Sequence, residues 1–191
     1  MVFQAKSTVN SLLICLLLLF SCGKDNELSV VSIDAKAVPR VHSEDVTTLV
    51  SDSGIVRIKL EAKVWDTFAD SIRPYQYFPE KIYVERFDTL FNPIGFIKAD
   101  TAYFYEPENL WKLIGNVVAK NLEGTVFETS ELFWNRQANP HSKRAIYTDK
   151  ETKVTDAQGR INIGRNGFEA NQELTYFLFL SANMELEIDD E

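Results

Sequence analysis

Only two cysteines and two histidines occur in 191 residues. Cys15 and Cys22 both lie near the N-terminus. The body of the chain therefore has nothing to pair in a disulfide, and its core alone has to hold the fold. His42 and His141 sit in polar, turn-rich segments with no Cys or second His at ligand spacing. HExxH, paired CxxC, P-loop and GxSxG patterns are all missing. We therefore expect no enzyme: no catalytic residue, no metal and no cofactor. Acidic residues are plentiful, 28 in all, so pairs such as Asp66 with Asp70, Glu85 with Asp88, or Asp149 with Glu151 arise by chance. They read as solvated turns and strand edges, not as the facing pair of a glycosidase. Asp156-Ala157-Gln158-Gly159 lacks the further acidic positions of a calcium loop. The net charge of −8 argues against nucleic acid, or an anionic membrane surface, as a partner held by charge alone.

The chain has one markedly apolar run, from Leu12 to Phe20. It is shorter than the roughly 20 residues a membrane span requires. With Lys6 ahead of it, the run fits the hydrophobic region of a secretory signal. Leu19-Phe20-Ser21-Cys22 resembles the bacterial lipobox, although Phe20 is bulkier than usual at its place. That resemblance implies a cleaved signal over residues 1–21 and acylation of Cys22. An ordinary cleaved signal or an uncleaved anchor is the plainer alternative. Gly23 to Glu27 reads as linker, within a linker and first-strand region over 22–52.

From residue 53 on, the pattern is that of strands. Val56, Ile58, Leu60, Ala62 and Val64 alternate with Arg57, Lys59, Glu61 and Lys63, the period of a half-buried strand. Asp66 to Asp70 is expected to form a short helical turn, and Tyr75 to Phe78 an extended aromatic link between Pro74 and Pro79. Further strands are expected over Lys81–Phe87, Phe96–Tyr105, Leu110–Lys120, Thr125–Trp134, Ala145–Val154, Arg160–Gly164 and Phe168–Leu180. Turns separate them at Asn92–Gly95, Asn121–Gly124, Asp156–Gly159 and Asn166-Gly167. Residues 185–191 form an acidic tail. No helical period is evident after the signal, so the fold class is all-β, a sheet stack or jelly roll over 53–184. Tyr103, Phe104, Tyr105, Trp111, Phe127, Phe133 and Trp134 read as core, or as the lining of an apolar groove between sheets.

Ala99-Asp100-Thr101-Ala102, Leu113-Ile114-Gly115-Asn116-Val117, Phe127-Glu128-Thr129 with Leu132-Phe133-Trp134, and Gly167-Phe168-Glu169-Ala170-Asn171 occur in this order and spacing. Over about residues 97 to 174 the chain resembles the LptC family of lipopolysaccharide-transport proteins. The resemblance implies a single twisted antiparallel β-jelly roll, or open sandwich, with an apolar interior groove. Val56, Ile58, Leu60, Leu113, Val117, Phe127 and Leu132 are the candidates to line it. The implied role is to receive lipopolysaccharide from an inner-membrane LptB/LptF/LptG-type ABC transporter. The cargo then passes to an LptA-type periplasmic bridge protein through edge-strand docking, here at Gly167, Phe168 and Asn171. The implied location is the periplasm, lipid-anchored at the inner membrane. The Asp66 to Pro79 segment departs from the family pattern. The alternative is a lipid-anchored β-sandwich that binds carbohydrate or another envelope protein and transports no lipid.

Overall fold

A computed structural model describes residues 38–69, 72–139 and 142–180. The expected signal, the lipidation site Cys22, the linker up to residue 37, His141 and the acidic tail lie outside the described residues.

Alternation sets the first element pair. β1 (Val41–Asp52) and β2 (Ile55–Phe68) form a long antiparallel hairpin, closed at Ser53 and Gly54, both at positive φ (52° and 80°). In β2, Ile58, Leu60 and Ala62 are buried, as a period of two requires. Then follow β3 (Tyr75–Phe78), β4 (Ile82–Phe87), β5 (Pro93–Ala99), β6 (Thr101–Tyr105), β7 (Leu110–Lys120), β8 (Val126–Asn135) and β9 (Ile146–Thr148). β10 (Thr152–Thr155), β11 (Ile161–Gly164), β12 (Phe168–Ala170) and β13 (Phe177–Phe179) complete the set. All pairings are antiparallel, and the described residues contain no helix. The all-β expectation holds.

Three long strands act as spines, and each carries two short strands end to end on one edge. β4 pairs with Ile58–Ala62 of β2, and β3 with Asp66–Phe68. β6 pairs with Leu110–Ile114 of β7, and β5 with Val118–Lys120. β10 pairs with Val126–Thr129 of β8, and β9 with Phe133 and Trp134. The breaks between partners line up as a crease across the sheet. Lys81 N donates to Asp100 O (2.7 Å), and Asp100 N donates to Gly115 O (2.9 Å). In β7 the pair Gly115-Asn116 stands opposite Ser130 alone, a bulge that bends the strand. Lys81, Gly115 and Asn116 all have positive φ (48°, 78° and 43°).

Five expectations are corrected. Asp66 to Phe68 is strand rather than helical turn, because Asp66 is paired on both sides, with His42 and Tyr77. The strand expected over Phe96–Tyr105 breaks at Asp100, and the one over Ala145–Val154 breaks between Thr148 and Thr152, both on the crease. The turn expected at Asn92–Gly95 lies earlier. The Asp88 carboxylate accepts from Leu90 N and Asn92 N (2.8 Å each), so the chain is already strand at Pro93. The last strand, expected over Phe168–Leu180, is a hairpin of two short strands. Asn171 Oδ1 accepts from Thr175 N (3.0 Å) and Tyr176 N (3.1 Å) and turns the chain back.

Candidate functional site

The inward faces of the strands merge into one apolar cluster reaching from Ile58 in β2 to Phe168 and Ala170 in β12. Of the groove candidates, Ile58, Leu60, Leu113, Val117, Phe127 and Leu132 are buried in it, and Val56 is half-buried near the β1–β2 turn. Phe127 is central. It stacks on Phe168 (5.3 Å between ring centroids) and meets Phe177 edge-on (5.1 Å). The C-terminal hairpin thus covers this part of the interior. It is held there by Arg86 Nη1 donating to Gln172 O (2.5 Å) and by Asn121 Nδ2 donating to Leu174 O (2.9 Å). Burial pulls the Arg86 guanidinium below its ordinary pKa, and Glu173 opposes that.

The other end of the interior is aromatic. Trp65 lies against Phe78 (5.4 Å), Phe78 against Trp111 (5.5 Å), and Trp111 against Phe104 (4.8 Å) and Trp134 (6.5 Å). Trp134 Nε1 donates to Gln172 Oε1 (2.6 Å). The indole N–H groups of Trp65 and Trp111 are buried without an acceptor among the described residues. Such a group in an apolar surround costs about 1–3 kcal/mol.

The three residues expected at a docking edge lie one strand in from it. Phe168 is fully buried in β12, which is paired with β9 on one side and β13 on the other. Gly167 passes so close to Thr148 O that a Cβ there would collide with it, and Asn171 caps the following turn. Among the described strands, β1, β11 and β13 are paired on one side only. The terminal strand β13 therefore carries the free backbone on this side.

Outside the core, the register lines up one residue from each of nine strands: His42, Asp66, Tyr77, Tyr103, Lys112, Phe133, Tyr147, Glu169 and Leu178. Tyr77 stacks on Tyr103 (4.6 Å) and Phe133 on Tyr147 (5.3 Å). Lys112 Nζ lies 5.4 Å from the Phe133 ring and the Arg144 guanidinium 4.6 Å from that of Tyr147, both within cation–π reach. In the neighbouring row Phe68 stacks on Tyr75 (4.8 Å), and Arg73 lies over Tyr105 (4.0 Å). Partial burial, with a hydrogen bond to Tyr77, pushes the Tyr103 hydroxyl up to about 12.

This outward aromatic face was not singled out from sequence. Tyr103, Tyr105 and Phe133, expected in the core or lining a groove, do not join the cluster; of that group only Phe104, Trp111, Phe127 and Trp134 do. The signal was present: Tyr75-Gln76-Tyr77 and Tyr103-Phe104-Tyr105 each put two tyrosines on one face. No group of three or more His, Cys, Asp or Glu able to hold a metal exists among the described residues. Compared with protein-family models and with curated proteins, the chain matches none.

Proposed function

We propose that the protein is a non-enzymatic component of lipopolysaccharide transport of the LptC type. In this reading it is a jelly roll whose interior takes the acyl chains of the cargo. It loads from an inner-membrane LptB/LptF/LptG-type transporter and unloads to an LptA-type bridge. One observation carries the reading: a continuous apolar interior, Ile58 to Phe168, within a single antiparallel sheet whose end strands β1, β11 and β13 are, among the described residues, paired on one side only. Burial of apolar surface is the force that would hold acyl chains. Free strand edges are what end-to-end docking needs. Loading requires the β12–β13 hairpin to lift, since Phe168 and Phe177 cover Phe127. An acylated Cys22 holds this body near the membrane.

A photocrosslinking side chain at position 127, compared with one at outward-facing position 103, tests the reading in living cells. A lipopolysaccharide adduct at 127 and none at 103 is expected. Absence of an adduct at 127, together with unchanged outer-membrane lipopolysaccharide on depletion, overturns it.

The outward aromatic face favours a second reading, a tethered β-protein that binds carbohydrate or another envelope protein and moves no lipid. Its rings and flanking cations suit either partner. Loss of function on replacing Tyr77 and Tyr103, without an adduct at 127, selects it.

A further inference from the structure

A cavity of about 750 Å³ lies along the crease, where β1, β2, β4, β5 and β7 meet. That volume is within the usual range for small-molecule sites. None of the groove candidates lines it, although Ala62, Ile82 and Ala99 on its wall also belong to the apolar interior.

Three lysines and three carboxylates stand on its wall. The carboxylates are already engaged. Glu61 holds Lys59 (2.6 Å), Asp45 holds Lys63 (2.5 Å), and Asp100 accepts from Asn116 Nδ2 (2.7 Å). Lys81 and Lys98 make no ion pair among the described residues, where the paired lysines are Lys59, Lys63, Lys112, Lys150 and Lys153. Lys81 and Lys98 thus line a common space outside any described ion pair, against one carboxylate without a cation, Asp100, which leaves this wall an excess of positive charge in a chain that is otherwise acidic at −8. The crease is what brings them together. Lys81 sits at the β3–β4 break and Lys98 two residues before the β5–β6 break, and the Lys81 N to Asp100 O bond ties those breaks. Val46, Ala62, Ile82, Ala99 and Val118 add an apolar wall beside the cations.

We propose that this cavity binds a phosphate group, with Lys81 and Lys98 as its cationic contacts. The two sources of that chemistry are the headgroup of an anionic phospholipid and free phosphate. The apolar wall favours the lipid, because it offers the glycerol and first acyl carbons a place out of water. Lysine serves here as a compact, mobile point charge.

Calorimetric titration of the full chain in non-ionic detergent tests this. The probes are inorganic phosphate, dihexanoyl phosphatidylglycerol and dihexanoyl phosphatidylcholine. Phosphatidylglycerol is expected to bind, and Lys81→Gln with Lys98→Gln to weaken it roughly tenfold or more, a change of about 1.4 kcal/mol. Lys153→Gln, on β10 and outside the cavity, is expected to leave it unchanged. Circular dichroism checks that each variant is folded. Phosphate binding as tightly as phosphatidylglycerol supports the site and assigns it to the free anion. Absence of anion binding, equal binding of phosphatidylcholine, or an equal effect of Lys153→Gln overturns the proposal.

Discussion

Asn116 Nδ2 donates to the Asp100 carboxylate at 2.7 Å, joining the bulge of β7 to the break between β5 and β6. The same carboxylate sits where a side chain on Gly115 would go: a Cβ there would lie 2.8 Å from Asp100 Oδ2. Two adjacent residues at positive φ and one acid therefore lock the crease.

Gly115→Ala should accordingly cost about 1–3 kcal/mol, from the strained φ and the contact with Asp100. Asp100→Gly carries its own cost, because it deletes the Asn116 bond, but it also removes the contact, so the double variant should lose less than the sum of the two single losses. Urea denaturation of the single and double variants measures this coupling. Simple additivity would show that Asp100 is not the obstacle.

Gly167 has φ of 88°, and a Cβ there would run into the backbone of Thr148 and Asp149. Gly167→Arg should separate β12 from β9 and release the C-terminal hairpin, at a cost above about 3 kcal/mol. Faster amide exchange at Phe168 and Ala170, together with loss of any downstream partner in a pull-down, is the expected outcome. Unchanged exchange at both would refute it.

Phe127 and Phe133 lie on one strand but on opposite faces. Phe127→Ala should destabilise by about 3–5 kcal/mol, as a large buried aromatic does on truncation. Phe133→Ala removes an outward ring that stacks on Tyr147, and should cost about 1 kcal/mol or slightly more. Thermal denaturation of both variants checks the assignment of faces, and equal losses would contradict it.

His42 is exposed on β1, with Nδ1 2.6 Å from Asp66 Oδ1 on β2. The hydrogen bond to Asp66, then that to Glu44, raises its pKa above the ordinary 6.5. A raised folded value means that the stabilisation is fully present below the unfolded pKa and is lost as pH rises through the folded one. The β1–β2 pairing near Val41 should therefore loosen above that pH, and His42→Ala should remove the dependence. Amide exchange across the hairpin, corrected for its intrinsic pH dependence, reads this directly. A wild-type profile identical to that of His42→Ala would rule it out.

Much of the strand content was legible because alternation is a local signal. β2 and β7 announce themselves through Val56 to Val64 and Leu110 to Lys120, and the turn at Asp156 through its carboxylate, which accepts from Gln158 N and Arg160 N (2.9 Å each). The outward tyrosines were also within reach of the same period. The crease was not. Asp100 lies in the midst of apolar and aromatic strand residues, and nothing local says that β5 ends before it and β6 begins after it. That break follows from which halves of β7 the two segments pair with.

The sequence by itself determined the all-β character of the described residues and most of their strand-forming segments. Tertiary structure alone decided which strand lies at the C-terminal edge and which aromatics face out, and it alone brought Lys81 and Lys98 into one cavity. The physical reason is that alternation specifies a face relative to the strand itself. Partner register and bulges decide where that face points, and they depend on residues far away in the chain.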